Sequence, residues 1–320
     1  MGTVVALAGQ VGGAKLADGL YRLRGKDLAV VVNTGDDYEH LGLLFSPDLD
    51  TMIYTLAGVA SATAGWEPEG ESRAAHGMLK KLGGPERPAF GDRSLAATLL
   101  RSQGLADDRR LTEVTLDFCR HLGITARVLP MSDDAVRTNV ITYEGVVTFH
   151  EYFNELACGP EVRGFQYAGA EDARISDEVL AALHAPDLEA VVICPANPYH
   201  AIRPILAVGG MYELVRKRGV PVVAVTPIVG GKALKGTAGK MMRELGREPS
   251  ARAVASEYLR VIDGFVIDNE DAHFADNVRS LGIEVLAAPT VMRSVDDRVA
   301  LARVVLDFAA SIREKKLAEA

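Results

Sequence analysis

The sequence of 320 residues has three cysteines, one tryptophan and no excess of basic side chains. Cys119, Cys158 and Cys194 are widely spaced and form no CxxC pair, which is typical of reduced thiols in the cytosol. Its 35 lysines and arginines against 43 aspartates and glutamates give a net charge of −8, which argues against a general nucleic-acid-binding protein. We find neither a run of about 18 apolar residues nor a signal-peptide pattern, so we expect a soluble, cytoplasmic protein without a membrane span.

Several common catalytic signatures are also missing. The seven histidines show neither HxH nor HExxH spacing, which argues against a zinc site. No GxSxG motif occurs, and Cys194 has no evident activating base. We interpret Trp66, Phe149, Tyr152 and Phe153 as wall or core residues rather than as a dedicated stacking site, although a planar ring could still lie against them.

Short β-branched runs alternate with helical patterns along the chain. Strands are predicted at 3–8, 28–33, 190–195, 221–227, 264–268 and 283–288. Helices are predicted from residue 14 and at 204–218, 235–246, 270–281 and 296–312. Strands of nearly continuous apolar character are typical of a parallel sheet that is covered on both faces. We therefore predict an α/β fold, a three-layer Rossmann-like parallel sheet whose ligands bind at the carboxyl ends of its strands.

Two segments depart from this alternation. Residues 48–123 contain four helical patterns and no convincing strand, so we predict a helical insertion that packs on the core as a lid or wall. Residues 138–153 alternate in polarity around Glu144-Gly145, which indicates a β-hairpin. No repeat or linker is evident, and we expect one domain over residues 1–320 with the insertion inside it.

The first strand leads into a glycine-rich stretch, Gly9 to Lys15. Glycines let backbone N–H groups point inward, the following helix start favours anions, and Lys15 adds a positive charge. However, the stretch matches neither GxxxxGK[ST] nor GxGxxG. A phosphate-binding loop and a plain tight turn with a solvated lysine therefore both remain open.

An acidic segment, NTGDDYEHLGLLFSPDLDT, follows the second strand at residues 33–51. Its four aspartates are Asp36, Asp37, Asp48 and Asp50. Carboxylates that meet near a phosphate site form the hard oxygen environment that Mg²⁺ prefers, and the metal would neutralise charge during phosphoryl transfer. The alternative is that two of these aspartates cap a helix and two are solvated turn residues.

Three further segments carry polar residues at predicted strand or helix ends. FGDRSLAATLLR places Asp92 and Arg93 at a helix start, where the arginine could grip a phosphate or carboxylate. LPMSDD ends a strand with an acidic turn at 129–134. CPANPYHAIRPIL places Asn197 and Pro198 in a rigid loop that could present an amide to a nucleobase. A helix cap, a plain turn and a proline-stiffened connection are the alternative explanations.

Taken in order, these segments resemble the 2-phospho-L-lactate transferase family, which makes the deazaflavin coenzyme F-420. The resemblance rests on AGQVGGAKLADGL, VVNTGDD, SPDLDTMIYTLAG, GDRSLA, PMSDD, CPANP followed by RPIL, VTPIVGGKALKGTAGKMM, and VIDGFVID. The individual motifs are short, but the ordered set spans nearly the whole chain and is highly specific.

The resemblance implies a reaction. A guanylylated phospho-acid such as lactyl-diphospho-guanosine is the donor, and the terminal ribityl hydroxyl of 7,8-didemethyl-8-hydroxy-5-deazariboflavin attacks the phosphorus that bears the acid. GMP leaves, and Mg²⁺ is the implied cofactor. By position, Asp50 matches the family's aspartate that contacts the deazaflavin and the metal, and Asp36 matches a second metal-side carboxylate. Either one could orient the attacking hydroxyl.

The resemblance also implies substrate contacts and assembly. The glycine-rich stretch should face the diphosphate, Asn197 should face the guanosine, and the family suggests a homodimer. The predicted substrate-binding residues are Gly12, Gly13, Lys15, Asn33, Asp37, Asp48, Asp92, Arg93, Asn197, Pro198 and Arg203.

This sequence departs from the family pattern at several positions. Gln10 stands where the family usually has a second glycine, and Ser94 replaces the last aspartate of GDRD. Ala196 and Ala201 replace serines, while Arg203 replaces a glycine. An added arginine would suit a more anionic acid tail, such as phosphoglycerate or phosphoenolpyruvate.

Two other functions compete with this interpretation. A non-catalytic relative of the gluconeogenesis-factor type has a similar fold and glycine loop, but it binds a nucleotide sugar and regulates. A nicotinamide-dependent dehydrogenase is suggested by the fold alone, and the missing GxGxxG argues against it. The complete NTGDD, SPDLDT and GDRSLA set favours the transferase.

Overall fold

The structure is a computed structural model that describes residues 2–233 and 236–319. Its strands, in chain order, are β1 (Thr3–Ala8), β2 (Leu28–Val32), β3 (Tyr38–His40), β4 (Leu43–Phe45), β5 (Arg127–Pro130), β6 (Arg137–Ile141), β7 (Val146–Thr148), β8 (Gly164–Ala168), β9 (Leu188–Ile193), β10 (Val222–Val225), β11 (Ile228–Val229), β12 (Lys232–Ala233), β13 (Gly264–Asp268) and β14 (Glu284–Ala288). Seven of them form one parallel sheet in the order β14-β13-β10-β9-β1-β2-β5. The predicted α/β Rossmann-like fold is confirmed.

Helices cover both faces of this sheet. In chain order they are α1 (Gln10–Arg24), α2 (Pro47–Leu56), α3 (Ala74–Lys81), α4 (Asp92–Ala106), α5 (Leu111–His121), α6 (Asp177–Leu183), α7 (Arg203–Ala207), α8 (Met211–Arg216), α9 (Ala238–Glu244), α10 (Ala251–Glu257), α11 (Ala275–Arg279) and α12 (Val295–Glu319). Among the described residues, none of these helices is both long enough and apolar enough to cross a membrane.

The central strand β1 shows why the sheet has two cores. Val5 and Leu7 pack into the cluster that contains α6 to α8, whereas Val4 and Ala6 pack into the cluster that contains α1, α2 and α12. All four side chains are fully buried. Because successive side chains of a strand point to opposite faces, a continuous apolar run is needed to fill both clusters.

The predicted insertion and hairpin are both present. Residues 48–123 supply α2 to α5, and within this range the structure has no strand beyond an isolated bridge between Ala60 and Pro68. Strands β6 and β7 pair antiparallel around the predicted turn, and β8 joins β6 as a third strand. A second small hairpin, β3 with β4, lies within the acidic segment.

The start of the first helix corrects the sequence prediction. Helix α1 begins at Gln10, directly after β1, whereas we expected a loop up to residue 13. Glycine is required here for close packing: a β-carbon at Gly12 would lie 2.5 Å from the carbonyl oxygen of Pro195, and one at Gly13 would lie 3.3 Å from the β-carbon of Ala8. The glycines therefore let the first turn of α1 approach the ends of β1 and β9.

Other helix boundaries also differ from the pattern. The predicted helix 204–218 is split into α7 and α8, because Gly210 takes a left-handed conformation between them. The predicted helix 235–246 is observed as α9, and its first residue, 235, lies outside the described residues. The predicted helix 270–281 consists of a 3-10 segment, Asn269–Phe274, followed by α11.

Candidate functional site

A cleft of about 510 Å³ opens at the carboxyl edge of the sheet, beside the ends of β1 and β2. The start of α1, the acidic segment, the insertion and the hairpin all contribute to its walls. Its polar lining residues are Gln10, Asp36, Ser46, Asp48, Asp50, Thr51, Glu67, Arg73, Ser94, His150, Asn154 and His200. The cleft therefore lies where a doubly wound sheet binds its ligands.

Asp36 is held by a histidine. The Nδ1 atom of His200 lies 2.7 Å from Asp36 Oδ2, and the His200 ring stacks on Phe149 with ring centroids 4.0 Å apart. Both side chains are buried, and Asp36 Oδ1 has no hydrogen-bond partner. A buried oxygen without a partner is costly, so Asp36 presents an acceptor that a bound ligand would satisfy.

Asp48 accepts hydrogen bonds that connect several parts of the site. Its Oδ1 accepts a hydrogen bond from the backbone N–H of Gln10 at 2.8 Å, and its Oδ2 accepts one from Asn33 Nδ2 at 2.9 Å. Asn33 Nδ2 also donates to the carbonyl of His200 at 3.1 Å. Burial, reinforced by the charge of Asp36, raises the pKa of Asp48 to about 6. The network joins the starts of α1 and α2 to the segments that follow β2 and β9.

Asp50 forms a buried ion pair with Arg101 of α4. The Nη2 atom of Arg101 donates to Asp50 Oδ1, and its Nη1 donates to the carbonyl of Leu44 at 3.3 Å. The guanidinium also lies over the Phe118 ring at 5.9 Å. Burial lowers the pKa of Arg101, but the Asp50 carboxylate more than compensates and holds it above its ordinary value. Arg101 therefore stays charged and fixes Asp50.

Asp37 lies behind the cleft wall and does not line it. Its Oδ2 accepts a hydrogen bond from Ser46 Oγ at 2.8 Å, and its Oδ1 has no partner. Burial raises the pKa of Asp37 to about 8, although Arg137 and Ser46 oppose the shift. Its carboxyl group is therefore largely protonated at neutral pH.

Asp37 should make stability depend on pH. An acid with an unfolded pKa of 3.8 and a folded pKa of about 8 destabilises the fold progressively as pH rises through this window. We expect Asp37→Asn to gain stability relative to the parent by roughly 2–4 kcal/mol between pH 5 and pH 8. Urea unfolding at both pH values measures this, with the exposed Asp172→Asn as control. An equal pH response of Asp37→Asn and the parent protein would contradict the assignment.

Aromatic side chains form the other wall of the cleft. Tyr38 stacks on His150 with ring centroids 3.7 Å apart, and Phe149 and Phe153 lie beside it. Trp66 lines the mouth of the cleft with 55% of its surface exposed. Flat apolar walls of this kind suit a planar ring system. Tyr152, in contrast, is fully buried and belongs to the core.

The carboxylates fit a magnesium ion in part. Asp36 Oδ1 is buried, unpartnered and on a residue that lines the cleft, which suits a hard cation. Both oxygens of Asp50 face Arg101, so Asp50 is the weaker candidate ligand. Throughout the described part of the chain, no group of three or more His, Cys, Asp or Glu side chains is arranged to hold a metal. A cation here would take further ligands from substrate phosphates and water, as Mg²⁺ commonly does.

The glycine-rich stretch is only partly in the cleft. Gln10 and Val11 line it, whereas Gly12 and Gly13 pack as described above and Lys15 is not a lining residue. Lys15 Nζ donates to the carbonyl of Met292 at 2.9 Å. The lysine therefore points toward the segment before α12 rather than toward the carboxylates.

Asp92 and Arg93 have structural partners. Asp92 accepts hydrogen bonds from the backbone N–H groups at the start of α3, and Arg93 Nη1 donates to the carbonyl of Glu69. Glu71 in turn accepts from the N–H groups of Arg93 and Ser94 and from Ser94 Oγ, at 2.7 to 3.0 Å. Each acid thus caps a helix, and Ser94 fits this arrangement because an aspartate there would face Glu71.

The loop after β9 is also held by internal contacts. Asn197 Oδ1 accepts from the N–H of Tyr199 at 2.9 Å, and neither Asn197 nor Pro198 lines the cleft. Arg203 donates to Glu257 at 2.7 Å and lies outside the cleft. Its suggested contact with an anionic acid tail therefore has no support in the geometry.

Sequence reasoning missed several residues of the site. Arg101 lies on the buried side of α4, and His200 lies within the proline-containing segment 194–206, so the sequence offered a signal for both. Arg73, 2.5 Å from Glu67, brings a positive charge to the cleft from the insertion. Because arginine side chains are mostly exposed, the sequence did not indicate that Arg73 faces the cleft.

The sequence matches a known family over most of its length. A family model described as 2-phospho-L-lactate transferase CofD matches residues 4–291. A phosphoenolpyruvate transferase from Streptomyces griseus is 37% identical over 317 residues, which cover 97% of this chain and 99% of that protein. A 2-phospho-L-lactate transferase from Methanosarcina mazei is 36% identical over 304 residues, which cover 95% and 99%.

Solved structures share the fold at low identity. The crystal structure of protein BH3568 from Bacillus halodurans matches with a TM-score of 0.63 and 16% identity, covering 95% of this chain and 99% of that one. A second structure of the same protein gives a TM-score of 0.64. At this identity the likeness extends to the fold alone.

Proposed function

Because the chain belongs to the 2-phospho-L-lactate transferase CofD family, we propose that it transfers a phospho-acid from a guanosine diphospho-donor to the ribityl hydroxyl of 7,8-didemethyl-8-hydroxy-5-deazariboflavin and releases GMP. The observation that carries the proposal is the cleft, which joins a buried carboxylate cluster to a wall of aromatic rings. The acid is 2-phospholactate, phosphoenolpyruvate or phosphoglycerate. The family resemblance suggests a homodimer, and the sequence composition suggests a cytoplasmic enzyme.

The charge of the cleft supports a metal cofactor. Asp36, Asp48, Asp50 and Glu67 line it, and two of them have cationic partners, because Arg101 pairs with Asp50 and Arg73 with Glu67. Among the described residues no lysine or arginine forms an ion pair with Asp36 or Asp48, so these two would repel an anionic diphosphate unless a cation accompanied it. We propose Mg²⁺ bound through Asp36, where it would neutralise charge that develops on the transferring phosphoryl group.

The protein side chains would do the positioning. Arg101 holds Asp50 in one orientation, and burial raises the pKa of the Asp50 carboxyl although the arginine opposes the shift. The fixed carboxylate would accept a hydrogen bond from the attacking hydroxyl and align it with the phosphorus. His200 holds Asp36 in one orientation through the hydrogen bond from its Nδ1 atom. Positioning of this kind supplies a large part of the rate in phosphoryl transfer.

Fluorescence from the aromatic wall should report directly on ligand binding. Trp66 is the only tryptophan in the sequence, so intrinsic tryptophan fluorescence comes from the mouth of the cleft. We expect the deazaflavin to quench this fluorescence and to raise the melting temperature together with GDP and Mg²⁺. Trp66→Phe, which keeps an aromatic ring, should still show the thermal shift. A melting temperature that rises with a UDP-sugar and does not rise with the deazaflavin would instead favour the gluconeogenesis-factor type of regulator.

A further inference from the structure

Gln10 has an unusual backbone conformation at the edge of the cleft. Its φ of 58° lies in the left-handed region, which glycine adopts freely and a residue with a β-carbon adopts at a cost. Such strain persists only where surrounding contacts hold it, and it concentrates at functional sites. Contacts of Gln10 must therefore hold this conformation in place.

Hydrogen-bond chemistry fixes the orientation of the Gln10 carboxamide. The backbone N–H of Asn197 is a donor and lies 2.8 Å from Gln10 Oε1, so the oxygen must face it. The amide nitrogen then lies 3.2 Å from His200 Nε2, which must accept. His200 consequently carries its proton on Nδ1 and donates it to Asp36. Gln10, His200 and Asp36 form one continuous chain of hydrogen bonds.

The position that the carboxamide oxygen occupies is suited to an anion. It lies between the first turn of the 15-residue helix α1 and the N–H of Asn197. Gly9 offers no capping side chain, and Asp48 Oδ1 already accepts from the Gln10 N–H, so the donor that the carboxamide oxygen would leave for an anion is the N–H of Asn197. An N–H group beside a helix start binds a phosphate oxygen more strongly than it binds a neutral amide oxygen.

A second observation marks this place as a ligand site. Asp36 Oδ1 is buried without a partner, and Asp36 lines the same cleft as Gln10. A ligand atom that binds Asp36 Oδ1 and a ligand atom that replaces the Gln10 carboxamide oxygen would therefore lie at the same end of the cleft. A diphosphate with its metal ion would supply both, the cation to Asp36 and a phosphate oxygen to the Asn197 N–H.

We propose that the Gln10 carboxamide is a resident occupant of the diphosphate subsite, and that it turns out when the nucleotide donor binds. The inference rests on the proposed function, since it takes the donor to be a guanosine diphosphate derivative. Gln10 is then a specificity-determining residue that sets how tightly this chain holds its donor. The Asn197 N–H passes from the amide oxygen to a phosphate oxygen.

GDP with Mg²⁺, titrated calorimetrically into the full chain, tests the proposal without requiring turnover. Removing a competing hydrogen-bonded group should tighten GDP binding by about tenfold in Gln10→Gly and in Gln10→Ala. Gln10→Glu places a carboxylate of the same size in the subsite and should weaken GDP binding by about tenfold. Melting temperatures confirm that each variant is folded.

Asp108→Gly is the matched control. Asp108 also has a φ of 58° but lies on the exposed turn after α4, so the substitution removes backbone strain without touching the cleft. It should leave GDP affinity unchanged. GDP that binds Gln10→Gly equally or more weakly than the parent would overturn the inference while leaving the proposed function standing. Absence of GDP binding in the folded parent and in every folded variant would overturn both.

Discussion

Replacing Arg101 by methionine should destabilise the protein by about 3–5 kcal/mol and abolish transfer activity. Arg101 is 1% exposed, and its guanidinium is the partner of the buried Asp50 carboxylate. Without it, an unpaired negative charge would remain in the interior, next to the neighbouring aspartates. Urea unfolding monitored by circular dichroism measures the loss.

A double variant separates stability from function. In Arg101→Met with Asp50→Asn, both charges are removed, so most of the lost stability should return while activity stays absent. Arg109→Met is the control, because Arg109 forms an exposed pair with Asp117 and should change stability by less than about 1 kcal/mol. A fully active double variant would show that Asp50 has no part in the reaction and only balances Arg101.

Asp36→Asn should lower kcat by about 10²-fold or more with little loss of stability. The amide oxygen of asparagine can still accept from His200 Nδ1, so the local packing is kept, whereas the negative charge at the unpartnered oxygen is lost. The Mg²⁺ concentration for half-maximal rate should rise. Steady-state kinetics over a Mg²⁺ series provide both quantities.

The matched control is another aspartate to asparagine change. Asp187 accepts a hydrogen bond from Thr3 at the opposite, amino edge of the sheet, so Asp187→Asn should retain normal kinetics. Quenching of Trp66 by the deazaflavin should persist in Asp36→Asn, which would locate the defect in catalysis rather than in acceptor binding. A kcat equal to that of the parent would remove Asp36 from the reacting centre.

The fold could be predicted from the sequence because the patterns that specify its strands and helices are local. Nearly continuous apolar runs of five to seven residues predicted six strands of the central sheet to within about two residues at either end, and the alternating stretch at 138–153 predicted the hairpin. The start of α1 was predicted wrongly. Glycine-rich stretches usually read as loops, whereas Gly12 and Gly13 serve close packing against residues that are distant in sequence.

The site could be predicted only in part, also because the signals in a sequence are local. Asp36, Asp48 and Asp50 lie close together along the chain, and the sequence placed them correctly at one edge of the sheet. Arg101 and His200 reach these aspartates across 51 and 164 residues of sequence, so their pairing depends on tertiary structure. Short-range patterns cannot reveal such partners, and they equally hid the ion pair that turns Arg203 away from the cleft.

One assay tests the central claim most directly. The protein is mixed with the deazaflavin, Mg²⁺ and, in separate reactions, guanylylated phospholactate, phosphoenolpyruvate and phosphoglycerate, and the products are identified by mass spectrometry. We expect a conjugate at the mass of the deazaflavin joined to one phospho-acid, with an equal amount of GMP, and the productive donor identifies the acid tail. Folded protein that yields neither conjugate nor GMP from any donor would contradict a transferase function.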